Sequence, residues 1–152
     1  MKAVLQRVSR ASVSVDGQLV ASIGAGLVVL VGVANDDTEK DVAYLARKTV
    51  EMRIFADEAG KFSLSALDVK GELLLVSQFT LLADTRKGRR PSFVAAAAPE
   101  PAKARFEEFV SACRQSGLKV ATGRFQEHML VEILNDGPVT IVLDSREKPG
   151  SD

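Results

Sequence analysis

The chain is poor in the residues that build metal and redox centres. Of its 152 residues one is cysteine (Cys113), one is histidine (His128), and tryptophan is absent. A single cysteine permits no intrachain disulfide, so folding does not require an oxidising compartment. A structural zinc site takes about four Cys or His ligands, and a catalytic one draws mostly on His. Neither set can be assembled, and no metal is expected. Gly24-Ala25-Gly26 follows a strand pattern but lacks the third glycine and the helix of a dinucleotide loop, so no cofactor is expected either. A Ser-His-Asp or Cys-His arrangement would have to use His128. Nothing beside it in the sequence marks it as a base, and it reads as a surface or rim residue.

An excess of one charge is also missing. Twenty Lys+Arg balance twenty Asp+Glu. A global electrostatic grip on nucleic acid is excluded, and any such binding must come from a local patch. Long apolar runs are absent too. The longest, Gly26 to Ala34, falls far short of the ~20 residues of a spanning helix. The opening residues alternate apolar and charged and form no signal-peptide core. No membrane association is expected, and the cytoplasm is the default location. The length suits one domain, assigned to residues 1–144, with 145–152 as a disordered tail.

The patterning is that of an α+β protein. Lys2 to Val15 alternates as a strand, Asp16-Gly17 is a tight-turn signal, and Gln18 to Ile23 returns. Gly26 to Val33 is a continuous apolar run suited to a strand buried on both faces. A helix is predicted from about Thr38 to Met52. Thr38 and Asp41 form a capping box, and Val42, Leu45, Ala46, Thr49 and Val50 form one stripe. Short strands flank the Asp57–Gly60 turn, and Glu72 to Leu82 reads as another strand. A second helix is predicted over Pro99 to Ser116, with Gly117 ending it. Strands follow at Leu118–Ala121, Met129–Leu134 and Val139–Leu143. The predicted architecture is a curled, largely antiparallel sheet or partial barrel with two helices packed on it.

Three segments do not fit a featureless domain. In Leu73 to Leu82 the apolar strand is interrupted by Ser77, Gln78 and Thr80. An unsatisfied buried polar group costs ~1–3 kcal/mol. Either the strand ends near Val76 and these residues leave the core, or they floor a polar pocket. The second segment is Asn135-Asp136-Gly137-Pro138-Val139-Thr140. Asp-Gly between apolar runs reads as a hairpin turn, yet Pro138 cannot donate to a ladder. Gly-Pro is also a place where a cis peptide is admissible. The third is the cationic run Arg86, Lys87, Arg89 and Arg90, beside Phe93. It is either a solvated loop or the best local candidate for phosphate contact.

Taken together these segments resemble one family. Ser77-Gln78-Phe79-Thr80-Leu81 and Asn135-Asp136-Gly137-Pro138-Val139-Thr140 are similar to the two signature motifs of D-aminoacyl-tRNA deacylases. The similarity extends to Leu5-Gln6-Arg7-Val8, Arg53-Ile54-Phe55, Gly88-Arg89-Arg90-Pro91-Ser92-Phe93 and Gly123-Arg124-Phe125. It covers Met1 to Leu143 with order and spacing kept, and no motif position departs.

The resemblance implies a homodimer that hydrolyses the ester between a D-amino acid, or glycine, and the 3′-terminal adenosine of tRNA, without a metal. It implies Ser77, Gln78, Phe79 and Thr80 at the reacting ester. It implies a cis Gly137-Pro138 turn that reaches into the partner's pocket as a chiral filter. Arg7 is implied as its buttress, with Asn135 and Thr140 as turn support. Phe125 and Met129 are implied near the terminal adenine. Neither DNA nor a membrane is among the expected partners.

An aminoacyl ester is already activated, so backbone N–H donors for the oxyanion would suffice without a strong base. Attack by water, assistance from the ribose 2′-hydroxyl, and Thr80 as nucleophile all stay open, the last lacking a visible base. The alternative function is a non-catalytic RNA- or aminoacyl-ligand-binding dimer of the same fold. The intact Thr80 and Gly-Pro motif favours the enzyme.

Overall fold

The computed structural model describes residues 1–147 and 149. Strand β1 (Lys2–Val15) turns at Asp16-Gly17 into β2 (Gln18–Ile23). Both turn residues have positive φ, 49° and 77°, as a two-residue hairpin loop of matching twist requires. Strand β3 (Gly26–Gly32) then pairs with the first half of β1, while β2 pairs with the second half. The other edge of β1 is taken by the long last strand β8 (Leu130–Asp144). One strand therefore holds three partners.

Helix α1 (Glu39–Glu51) starts at the Thr38–Asp41 capping box and buries Val42, Leu45, Ala46, Thr49 and Val50. A small hairpin of β4 (Phe55–Ala56) and β5 (Phe62–Leu64) follows. Next comes a four-residue helix, α2 (Ala66–Val69), capped by Ser65 and Asp68, which the sequence reading missed. Strand β6 (Glu72–Ser77) lies parallel to β3, and β7 (Val120–Thr122) lies parallel to β6. Between them runs α3 (Pro99–Arg114), burying Phe106, Phe109, Val110 and Cys113.

The sheet order is β2-β1-β3-β6-β7, with β8 on the remaining edge of β1. The sheet is mixed: the three ladders along β1 are antiparallel, as expected for most of the sheet, whereas β3–β6 and β6–β7 are parallel. The reason is that α1 lies in the crossover from β3 to β6, and α3 in that from β6 to β7, and crossovers return strands in parallel. The sheet curls until β2 approaches β6 and β7.

Two cores result, one on each face. Leu73 and Leu75 of β6 join the helix-side core with Leu5, Leu27, Val29, Leu45 and Phe109. Leu74 and Val76 join a second core with Val8, Val13, Val28 and Ile23. This is why β6 is apolar on both faces.

The first residue is tied to the segment that follows β8. The Met1 ammonium donates to Asp37 Oδ1 at 2.6 Å and to Ser145 Oγ at 2.9 Å. Ser145–Glu147 forms a 3-10 turn in which Ser145 is buried. The tail expected from residue 145 therefore does not start there, and residues 148 and 150–152 lie outside the described ones. No described helix is long and apolar enough to cross a membrane.

Candidate active site

The first motif sits where β6 stops. Ser77 still pairs with Val31, and the Gln78 N–H donates to the Val31 carbonyl at 2.7 Å. The expected strand to Leu82 does not continue. The chain instead folds into a 3-10 turn over Phe79–Leu82. Gly32 makes this possible, because a Cβ there would lie 2.9 Å from the Gln78 carbonyl oxygen and 2.5 Å from Leu82 Cδ2. The first N–H groups of such a turn, those of Phe79 and Thr80, have no partner within it. The Gln78 side chain donates from Nε2 to Thr80 Oγ1. Thr80 is exposed, and Phe79 is 56% exposed with its ring edge-on to Phe93 at 5.1 Å.

Ser77 and Phe79 wall two clefts. One, of about 280 Å³, is lined also by Phe93, Ala97, Ala102 and Phe125. The other, of about 290 Å³, is lined also by Gln78, His128 and Met129. Phe125 and Met129 thus flank the same strand end on opposite sides. His128 is exposed at the rim and makes no recorded hydrogen bond to Thr80. Cys113 is no nucleophile: burial pushes its thiol up to about 12. Among the described residues no group of three or more His, Cys, Asp or Glu could hold a metal ion.

The cationic loop is anchored beside this site. Asp84 and Ser92 exchange both backbone hydrogen bonds, 2.7 and 2.9 Å, and so close the loop whose far stem carries Phe93. Arg86 is not free. Its guanidinium grips Asp84 through Nε at 2.9 Å and Nη2 at 2.7 Å. These bonds hold the Asp84 carboxyl down to about 2. Lys87, Arg89 and Arg90 are exposed and form no ion pair among the described residues.

The second motif is not a hairpin. Strand β8 runs through it, against expectation, because β1 is long enough to pair with both of its halves. Gln6 faces Thr140 and Val8 faces Asn135. Two residue steps on β1 therefore oppose five on β8, and residues 136–139 loop out as an enlarged bulge. Side chains close the loop where the ladder cannot. Asn135 Oδ1 accepts the Val139 N–H at 2.7 Å, and Asn135 Nδ2 donates to Thr140 Oγ1 at 2.9 Å. Pro138, which has no N–H, sits where no ladder bond is required. The Gly137-Pro138 peptide is cis, and Gly137 has φ +144°.

From β1, Arg7 donates through Nε to the Asp136 carbonyl and through Nη1 to the Ile54 carbonyl, each at 2.9 Å. It also lies over the Phe62 ring, 5.4 Å from the centroid. Gly137 and Pro138 are exposed.

A single chain does not unite the two motifs. They belong to β6 and β8, separated by β3 and β1. At ~4.8 Å per strand that is about 14 Å across the sheet. Three contributors escaped the sequence reading: the Phe93 ring on Phe79, the small residues Ala97 and Ala102 lining the cleft, and Gln126, whose φ is +64°. Phe93 stood beside the cations and at the end of the Gly88–Phe93 resemblance with no role of its own, and no spacing pattern marks Ala97, Ala102 or Gln126.

Residues 4–144 match the family model described as D-Tyr-tRNA(Tyr) deacylase. A D-aminoacyl-tRNA deacylase of Dehalococcoides mccartyi (strain CBDB1) is 60% identical over 148 residues, covering 97% of each chain. That of Thermosipho africanus is 56% identical over 147 residues, 97% of this chain and 99% of its own. Among solved structures, one described as "c-Myc DNA Unwinding Element Binding Protein" superposes with a TM-score of 0.89 at 43% identity, covering 95% of this chain and 98% of the other. A probable eukaryotic D-amino acid tRNA deacylase gives a TM-score of 0.83 at 17% identity over 93% of this chain and 97% of the other, a likeness of fold alone.

The family model and these relatives define a hydrolase of aminoacyl-tRNA esters, a tRNA-binding enzyme of translation quality control. The chain belongs to the D-aminoacyl-tRNA deacylase family.

Proposed function

We propose that the Ser77–Thr80 strand end is the reaction centre, cleaving the ester between a D-amino acid or glycine and the terminal adenosine of tRNA in the cytoplasm. The carrying observation is the break from β6 into a 3-10 turn, which leaves the Phe79 and Thr80 N–H groups without a partner inside the turn. Each such donor to a developing oxyanion is typically worth ~3–4 kcal/mol. Thr80 Oγ1 accepts from Gln78 Nε2, so its own proton is left to donate toward the ester. No carboxylate or imidazole among the described residues is hydrogen-bonded to it. Thr80 therefore positions the ester, and water or the ribose 2′-hydroxyl attacks. The Phe125 cleft takes the adenine, with Met129 on the opposite flank.

Gly137-Pro138 supplies chirality by exclusion. A backbone wall pinned by Arg7 and Asn135 cannot rotate aside as a side chain can. It rejects an L substituent at Cα, and it does not need to recognise a D one, so glycine passes. The wall acts in the partner's pocket, since within one chain the motifs lie three strands apart. The edge strand β8 carries exposed Leu130, Leu134 and Val142, an apolar edge that a symmetric dimer would cover. Lys87, Arg89 and Arg90 meet tRNA phosphates.

The test is deacylation of D-Tyr-tRNA, L-Tyr-tRNA and Gly-tRNA, with sedimentation of the same sample. Turnover of the D and glycyl esters by a dimer, with the L ester spared, is expected. One relative is described as a DNA-unwinding-element binding protein. A binding module of that kind would instead retain tRNA without turnover.

A further inference from the structure

A further cavity lies apart from the clefts at the end of β6. It holds about 620 Å³ between one face of α3 and the segment after β7, within the ~300–1,000 Å³ range of small-molecule sites. Lys103, Phe106, Val110 and Arg114 line it from α3, and Arg124 and Phe125 from the other side. Phe125 also lines the cleft beside Ser77 and Phe79. The two spaces are therefore neighbours across one aromatic ring. That ring is tilted 33° against Phe106, with centroids 6.3 Å apart, so the floor between the spaces is aromatic.

The rim is polar and cationic. Lys103 and Arg114 are exposed and form no ion pair among the described residues. They lie eleven residues apart on the helix, about 16 Å at ~1.5 Å per residue, and bracket the cavity at its two ends. Arg124 is only loosely engaged, 3.9 Å from Glu127. Glu107 and Glu127 also border the cavity, so three cations face two carboxylates and the balance is one positive charge. Aromatic floor and cationic ends are the pairing that holds single-stranded nucleic acid: rings stack bases, and cations follow the backbone.

We propose that this cavity is a second nucleotide subsite. It takes the unpaired nucleotides immediately 5′ of the terminal adenosine and draws the 3′ end of tRNA along α3. The proposal rests on the reading that the Phe125 cleft holds the adenosine. It accounts for a cavity that neither motif uses, and it gives the enzyme a grip on features every tRNA 3′ end shares.

The test compares two non-hydrolysable probes by calorimetry. One is 3′-(D-alanylamino)-3′-deoxyadenosine, and the other is the same nucleoside extended 5′ by two cytidines. The wild-type protein should bind the extended probe at least about tenfold more tightly, the scale of one stacked base. Lys103→Glu with Arg114→Glu should abolish that gain and leave the short probe unchanged. Ser111→Trp, which plugs the cavity from an exposed position, should do the same without altering charge.

No gain from the extension in the wild type would overturn the subsite while leaving the adenosine cleft intact. A gain untouched by either variant would place those nucleotides elsewhere and overturn it equally. Parallel weakening of both probes would reduce the cations to a general field effect and also defeat it. Failure of the wild type to bind even the short probe would refute the underlying adenosine assignment, a distinguishable result.

Discussion

The two motif regions are built in opposite ways. Ser77 to Thr80 emerges from a strand with cores on both faces, and its shape comes from a ladder that runs out above Gly32. Asn135 to Thr140 sits on an edge strand, largely exposed, and its shape comes from side chains that clasp backbone atoms. One region is held by packing and the other by a few polar bonds. Substitutions in the polar clasp should therefore alter function while sparing stability, and those near the buried strand should do both.

Gly137→Ala should have the largest effect. The added Cβ would lie 2.7 Å from Val139 Cγ2 and 2.9 Å from Val139 N, at a φ of +144° that side chains rarely adopt. We expect about a 100-fold fall in kcat/KM on D- and glycyl-tRNA, equivalent to ~3 kcal/mol. The melting temperature should fall by only a few degrees, because the strain is confined to an exposed bulge. Unchanged deacylation would make this bulge an ordinary surface loop.

Arg7→Ala comes next. It removes both bonds that hold the turn to β1 and to the residue before β4. The D-to-L rate ratio should drop about tenfold, the scale of one charged hydrogen bond. Arg7→Lys should recover little, since a point charge cannot span two carbonyls. Rate ratios on paired D- and L-aminoacyl-tRNA decide it.

At the exposed end of the buried strand, Thr80→Ala should lower kcat about tenfold at nearly constant KM, the pattern of an interaction made mainly in the transition state. Thr80→Ser should keep most of the activity. If both variants were equally dead, and a covalent aminoacyl-enzyme could be trapped from the wild type, Thr80 would be a nucleophile instead.

The smallest effect is expected in the cationic loop. Arg86→Ala should change tRNA affinity less than Arg89→Ala, because Arg86 already spends its donors on Asp84. The slope of log affinity against log salt should fall by about one for Arg89→Ala. The folded carboxyl of Asp84 lies near 2, below the ~3.9 of a free aspartate. Its tie to the loop is therefore complete above about pH 4 and is lost as pH falls through about 2. An NMR titration of residues 84–92 should be flat across the neutral range.

Much of the scaffold was legible. The β1–β2 hairpin, the capped α1 and the span of α3 from Pro99 toward Gly117 all follow from local chemistry, and the structure has each. The errors came where a partner strand decides. Asp136-Gly137-Pro138 has the local marks of a turn, but β1 pairs on both sides of it and makes one strand of two. Likewise Leu73 to Leu82 is apolar enough for a longer strand, but β3 ends at Gly32 and leaves it nothing to pair with. The four-residue α2 carried a readable Ser65–Asp68 cap but too few residues to show a period. Arg7 and Asp136 are 129 positions apart, so no spacing rule links them, and only the family resemblance brought them together.

The lateral gap between the two motifs bears on how defects combine. On the proposed dimer each reaction centre takes Thr80 from one chain and Gly137 from the other. Mix a Thr80→Ala chain with a Gly137→Ala chain, each impaired alone, by about tenfold and about 100-fold. In the hybrid, one centre inherits both lesions and its twin inherits neither. Two broken alleles would then complement each other and restore one whole centre per hybrid, whereas two different lesions within the same motif would restore none.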